Sequence, residues 1–223
     1  MSTTIGVSEQ VRTYIQTWGV REDPVLARCR KETMADPRHG MQIAPEQGAF
    51  MQVLAKAIRA RRALEVGVFT GYSSTAVAMA MKAMHGSAAE LVACDISADF
   101  VERARAYWRA AGVEALIKTR IGPAAESLAE LVGEGESGGF DMMFIDADKV
   151  GYDRYYELGL ALLRSGGMLL IDNMLWSGAV AEDGHTTPDT VALSTLAKRI
   201  HADERVDMTL ATIGDGLSII VKR

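Results

Sequence analysis

The apolar positions of the chain change their period twice. Over residues 8–32 they follow helical spacing, interrupted at Asp23-Pro24, and a loop carrying Pro37, Gly40 and Pro45 follows. Phe50, Val53, Leu54, Ala57 and Ile58 then recur at helical intervals, which predicts an amphipathic helix with Glu46 in its first turn. The basic run Arg59–Arg62 is assigned to the last turn of that helix, where cations suit the dipole. From residue 63 short apolar runs alternate with helical stretches. Strands are predicted at Ala63–Val68, Glu90–Asp95, Ala115–Ile121, Phe140–Asp146 and Met168–Asp172. Helices are predicted at Ser73–Met84, Ala98–Ala111, Ala124–Val132, Tyr152–Leu163 and from Pro188 to about His201.

Ser165-Gly166-Gly167 reads as the turn that feeds the strand at Met168. The end of the chain differs: Val206–Ile213 and Leu217–Lys222 flank Asp215-Gly216, a hairpin pattern. Alternating strands and helices with a closing hairpin predict an α/β fold, a doubly wound, mostly parallel sheet with one antiparallel strand at the end. One domain over residues 1–223 with an N-terminal helical extension (residues 1–45) accounts for the whole pattern.

Composition narrows the function classes. At 223 residues and net charge -5 the chain offers no basic surface for nucleic acid, and no Lys/Arg cluster is interleaved with aromatics. No segment has the apolar length to span a membrane, and the start carries no basic and apolar leader. Cys29 and Cys94 form no spacing motif, and Cys94 lies within an apolar run as a small core residue, so a reduced cytoplasmic setting is expected.

Two apolar runs end on oxygen-bearing side chains: Phe144-Ile145-Asp146-Ala147-Asp148-Lys149 and Leu169-Leu170-Ile171-Asp172-Asn173. In an open α/β sheet the ligand crevice lies outside the carboxyl ends of the strands. Asp146, Asp172 and Asn173 could converge there on one hard cation. Two carboxylates and an amide without histidine or thiolate suit Mg²⁺ better than zinc, and leave coordination positions for two substrate oxygens. A vicinal diol on an aromatic ring, such as a catechol, would chelate there with one hydroxyl acidified. Lys149, three residues after Asp146, is placed to take the phenolic proton. Each of these residues also has a plain structural alternative: helix cap or turn former for Asp146, Asp172 and Asn173, solvated surface charge for Lys149.

The first strand runs through Leu64-Glu65-Val66-Gly67-Val68-Phe69-Thr70-Gly71-Tyr72-Ser73 into a helix. A dinucleotide loop wants glycines spaced G-x-G-x-x-G, and here Gly67 and Gly71 stand alone. Pyrophosphate is therefore disfavoured, while a smaller carboxylate fits a helix N-terminus. Asp95 ends the next strand, where an acidic group can accept from ribose hydroxyls, although it could equally cap the following helix. Ribose plus carboxylate without pyrophosphate describes S-adenosylmethionine.

Taken together, these segments resemble the metal-dependent class I O-methyltransferases of the caffeoyl-coenzyme A and catechol type, most like their small bacterial members. The likeness runs from about Val20 to the C-terminus through Arg21-Glu22-Asp23-Pro24, Met41–Gly48, the Glu65–Ser73 loop, Phe144–Lys149 and Asp172–Gly178. It implies a Rossmann-like, seven-stranded sheet with the last strand antiparallel and a homodimer. It implies metal ligation by Asp146, Asp172 and Asn173, with Lys149 as general base. The donor would be held by Ile43 (through backbone), Glu65, Gly67, Val68, Ser73, Asp95, Ala124, Asp146 and Asp148. Tyr155 falls where the family touches substrate, and Trp176 is either a wall of the acceptor site or a core anchor. Phe69 stands where many members carry tyrosine. The loop from Ser177 to Thr190, with His185 in it, occupies the place where members differ in acceptor choice. Two alternatives remain open at this level: an NAD(P)-dependent oxidoreductase on a similar sheet, and a donor-binding module without turnover.

Overall fold

The computed structural model of the chain describes residues 7–182, 184 and 186–223. Seven strands form one sheet: β1 (Arg62–Val66), β2 (Glu90–Asp95), β3 (Ile117–Ile121), β4 (Phe140–Ile145), β5 (Leu163–Ile171), β6 (Val206–Ala211) and β7 (Leu217–Lys222). Their order is β3-β2-β1-β4-β5-β7-β6. The first five are parallel, and β7 runs antiparallel to both β5 and β6. The expected hairpin is present, with Ala211 opposite Leu217. It lays its second strand inside the sheet and its first on the edge.

The strands are apolar on both faces because helices cover both. On β4 and β5, Met142, Phe144, Met168 and Leu170 enter one core, which includes Met51, Tyr72, Met81 and Trp108. Their neighbours Met143, Ile145, Leu169 and Ile171 enter the other, with Tyr152, Tyr156, Leu193 and Leu196. That period-two partition between two buried faces is what a continuous apolar strand means in a doubly wound sheet. Helices α1 (Glu9–Trp18), α2 (Pro24–Thr33), α3 (Pro45–Ala57), α4 (Tyr72–His85), α5 (Ala98–Ala110), α6 (Ala124–Gly133), α7 (Tyr152–Leu162) and α8 (Pro188–Ala202) complete the order. The start of α2 is set by chemistry visible in the sequence: Asp23 accepts from the Val25 N–H and Pro24 needs no donor in the first turn. No described helix is long and apolar enough to cross a membrane.

Three local expectations are corrected. Helix α3 buries Gln47, Gly48, Met51 and Ala55, whereas Val53 of the predicted apolar stripe is 62% exposed. Close packing selected the small face: a Cβ on Gly48 would stand 2.7 Å from the Tyr72 ring on α4. Arg59–Arg62 lies beyond the helix end at Ala57; Arg59 takes a left-handed φ of 54° and Arg62 already belongs to β1. There the Asp141 carboxylate accepts from the Arg61 and Arg62 backbone N–H groups. Ser165-Gly166-Gly167 is a bulge inside β5 and not a turn before it. Phe140 pairs with Leu163 and Met142 with Met168, so the intervening residues of β5 bow out of register.

Candidate active site

A cleft of about 1010 Å³ opens at the carboxyl ends of the parallel strands. Gly67, Val68, Ser73, Asp95 and Ala124 line one end of it. Asp146, Asp148, Lys149, Tyr155, Asp172, Asn173 and Trp176 line the other, and Ile43 closes over it from the loop before α3. The sequence-predicted site residues thus face one space, with two exceptions. Glu65 is fully buried behind Ser73, whose hydroxyl donates to it at 2.5 Å. His185 lies outside the described residues.

The first end is built by backbone geometry. Gly67 has a φ of +93°, and a Cβ on it would collide with the Asp146 carbonyl oxygen, so the β1 loop rests directly on the end of β4. Gly71, at φ +84°, precedes the first turn of α4, which lacks a capping side chain of its own. Glu65 reaches that turn from β1 through Ser73 and the Ser74 backbone. Burial pushes the Glu65 carboxyl up to about 8, against the pull of its hydrogen-bond donors. Asp95 does not cap α5; Ser97 does. Asp95 Oδ2 instead accepts from the Val68 and Phe69 N–H groups at 2.8 and 3.1 Å, and Oδ1 from Ser97. Phe69, at a left-handed φ of 48°, meets Phe100 edge-on at 4.8 Å.

At the other end a buried lysine gathers the polar groups. Lys149 Nζ lies 2.7 Å from Asn173 Oδ1, 2.7 Å from the Tyr152 hydroxyl, 2.9 Å from the Ala147 carbonyl and 3.2 Å from Asp146 Oδ1. Lys149 is therefore neither solvated nor idle: its ammonium joins two of the three residues expected to share a cation. Asn173 holds a left-handed φ of 59°, a conformation asparagine tolerates better than most residues. Asp172 Oδ1 accepts from the Asn173 N–H at 2.7 Å and Oδ2 from Gln47 Nε2 at 2.8 Å. Burial raises the Asp146 carboxyl above its ordinary value, with Lys149 opposing the rise. Burial also raises Asp172, and the Asp146 charge raises it further. Asp148, not Asp146, forms the local cap, accepting from the Gly151 N–H at 3.0 Å, and it also accepts from the Tyr155 hydroxyl at 2.6 Å.

Sequence reasoning missed Gln47, Tyr152 and a polar knot under the glycine loop. Gln42 Nε2 donates at 3.0 Å to both the Thr33 and Thr70 hydroxyls, and Thr33 donates to Thr70 at 2.9 Å. The knot ties α2 to the loop between Gly67 and Gly71. The predicted loop 177–190 begins inside a 3₁₀ segment, Trp176–Ala181, that is kinked by left-handed Ser177 and Gly178, and Thr187 caps α8 by accepting from the Thr190 N–H. Trp176 is half-buried on the cleft wall with its ring 5.6 Å from Lys149 Nζ, and it also packs against the core around Tyr152 and Leu193.

Residues 16–223 match the O-methyltransferase family. A probable caffeoyl-CoA O-methyltransferase 1 of Dictyostelium discoideum is 42% identical over 186 residues, covering 83% of this chain and 79% of that one. The catechol O-methyltransferase domain-containing protein 1 of Mus musculus is 36% identical over 94% of this chain and 78% of its own. Among solved structures, an O-methyltransferase from Bacillus cereus in complex with SAH superposes with a TM-score of 0.86 at 27% identity, covering 96% of this chain and 97% of that one. The antiparallel β7, the glycine loop on β1 and the match over most of the chain agree: this protein belongs to the O-methyltransferase family.

Proposed function

We propose that the chain transfers the methyl group of S-adenosylmethionine to one hydroxyl of a small aromatic vicinal diol held by a divalent cation. One observation carries the proposal: the glycine loop and Asp95 open into the same cleft as Asp146, Lys149, Asp172 and Asn173. The SAH complex of the Bacillus cereus neighbour supports an S-adenosyl donor at the first end. There Asp95 would take the ribose, the start of α4 with Ser73 the donor's carboxylate, and Ala124 the adenine. Gly67, Val68, Asp146, Asp148 and the Ile43 backbone would complete its contacts, with Glu65 acting through Ser73.

The donor set at the second end fits a hard divalent ion. Two buried carboxyls held above their ordinary values by burial, with Asp146 repelling Asp172, are relieved by a cation, and Asn173 adds a neutral oxygen. Mg²⁺ is the natural candidate, and when bound it would supply Lewis-acid polarisation of the acceptor oxygens. Lys149 Nζ lies within 3.2 Å of oxygens on Asp146 and Asn173, within reach of a hydroxyl bound beside them, and as the neutral amine would take its proton and become the ammonium. The Tyr152 hydroxyl orients that nitrogen. Tyr155 and Trp176 would flank the acceptor ring. The names of the relatives span a caffeoyl-CoA acceptor and a catechol, both aromatic vicinal diols. A homodimer belongs to the same reading, supported by Trp18 (75% exposed) and Tyr14 (67% exposed) on α1 and Val53 on α3.

Incubation with S-adenosylmethionine and catechol, with and without EDTA, tests the proposal. Methylation that stops on chelation and in Asp146→Ala is the expected result. Turnover indifferent to both removes the metal from the mechanism. Calorimetric binding of NAD with none of S-adenosylmethionine would replace the transferase with an oxidoreductase.

A further inference from the structure

The charges that line the cleft are nearly all of one sign. Among the described residues six aspartates face it, at positions 95, 146, 148, 172, 189 and 215, against a single cation, Lys149. Among the described residues no arginine or histidine lines it. Lys149 is already engaged by Asn173, Tyr152, the Ala147 carbonyl and Asp146. Four of the aspartates have partners or proposed roles inside the site. Asp189 and Asp215 have no role in that chemistry: Asp215 stands beside the Leu175–Ser177 segment and Asp189 in the first turn of α8.

Their places are fixed by the fold. Asp215 sits in the β6–β7 turn, where its backbone carbonyl accepts from the Leu175 N–H and its Oδ1 from the Ser177 N–H at 2.6 Å. That holds it beside the segment that follows Asn173. Asp189 lies in the first turn of α8, a helix that packs against both the Lys149–Gly151 and the Trp176–Ala181 turns. Two rim arginines do not offset them. Arg38 lies over the Phe100 ring at 4.4 Å, on the Asp95 side, and both it and Arg103 are paired with Asp36.

Resting on the transferase function proposed above, we infer that Asp189 and Asp215 are specificity-determining residues that exclude phosphate-bearing acceptors. The acceptor is a small free diol whose remaining substituent is uncharged or an amine, and not an acyl-coenzyme A thioester. A thioester of that kind would carry several phosphate charges past two carboxylates with no guanidinium or free ammonium on the cleft wall to receive them. An aminoethyl substituent on the ring would instead meet opposite charge. Like-charge opposition is an established way to reject a wrong partner.

Calorimetry on the full chain loaded with SAH and Mg²⁺ gives a readout independent of turnover. The probes are dopamine, as an amine-bearing catechol, and caffeoyl-CoA. Dopamine is expected to bind at least tenfold more tightly than caffeoyl-CoA. The thioester's affinity should rise with added salt as repulsion is screened. Asp189→Lys should shift the preference toward caffeoyl-CoA at least tenfold, and Asp215→Asn, a milder change that keeps an acceptor for Ser177, should move it the same way. Caffeoyl-CoA binding as tightly as dopamine to the parent protein overturns the inference, and so does a preference unmoved by Asp189→Lys and by salt. Binding in the stated order, with neither probe methylated when S-adenosylmethionine replaces SAH, supports the inference and overturns the transferase function. Failure of both probes to bind overturns both.

Discussion

Gln47 on α3 donates a 2.8 Å hydrogen bond to Asp172 at the end of β5, a partner 125 positions along the chain. It is 1% exposed, and a Cβ on Gly214 would run into its carbonyl oxygen, so the amide is held from behind by the β6–β7 turn. Together with the Asn173 N–H it leaves the Asp172 carboxyl one orientation. Partners of this kind typically contribute about 10- to 100-fold to the affinity of a metal site. Gln47→Met keeps the volume and removes the donor. Mn²⁺ titration followed by electron paramagnetic resonance should show a weakening in that range with circular dichroism unchanged.

Glu65 makes stability depend on pH. Its carboxyl ordinarily titrates near 4.5 and burial lifts it to about 8 in the folded chain. Below 4.5 both states hold the proton and nothing is lost. Between 4.5 and 8 the unfolded chain releases the proton while the folded chain keeps it, so rising pH favours unfolding by up to about 1.4 kcal/mol per pH unit. Above 8 the loss is complete. Urea midpoints measured from pH 5 to 8 should fall for the parent relative to Glu65→Gln, which accepts from Ser73 without titrating. Parallel curves for the two proteins would refute the assignment.

Gly67→Ala should be severe. A left-handed φ of +93° costs an alanine about 1–3 kcal/mol on its own, and the new methyl group collides with the Asp146 carbonyl oxygen. A thermal scan should show a fall in Tm of at least several degrees, with donor affinity reduced more than a pure stability loss explains, because the loop must shift.

Thr33→Val removes one member of the polar knot while preserving shape. Thr70 loses one of its two donors and the half-buried Gln42 amide one of its acceptors, while the Gln42–Thr70 bond remains. A cost of about 0.5–1.5 kcal/mol follows. The mutated side chain sits on α2, outside the cleft lining, so a rise in the Kd for S-adenosylmethionine would report that the knot positions the glycine loop. An unchanged Kd with lowered stability would make its role structural only.

Much of the molecule was legible in the sequence, for identifiable reasons. The runs into Asp146 and into Asp172-Asn173 announced strand ends because apolar residues on both faces of a strand leave one polar place, its exit. The hairpin announced itself through Asp215-Gly216. The α3 face was not legible, since hydrophobicity favours Val53 while close packing against Tyr72 favours Gly48. The Gln47–Asp172 bond was not legible either, because pairing across so many residues is decided by the docking of a helix on a sheet and leaves no local pattern. Lys149 was located by its spacing, but its four partners depend on how three separate segments meet.

Gly67 sets its main chain against the main chain of Asp146. The two ends of the one cleft therefore meet where backbone rests on backbone, and position 67 admits no side chain there. Change over generations could rework the rim around Trp176, Asp189 and Asp215, and so the choice of acceptor, without altering the span across which a methyl group would travel. On such a scaffold new acceptors can be tried while the distance for transfer is inherited intact.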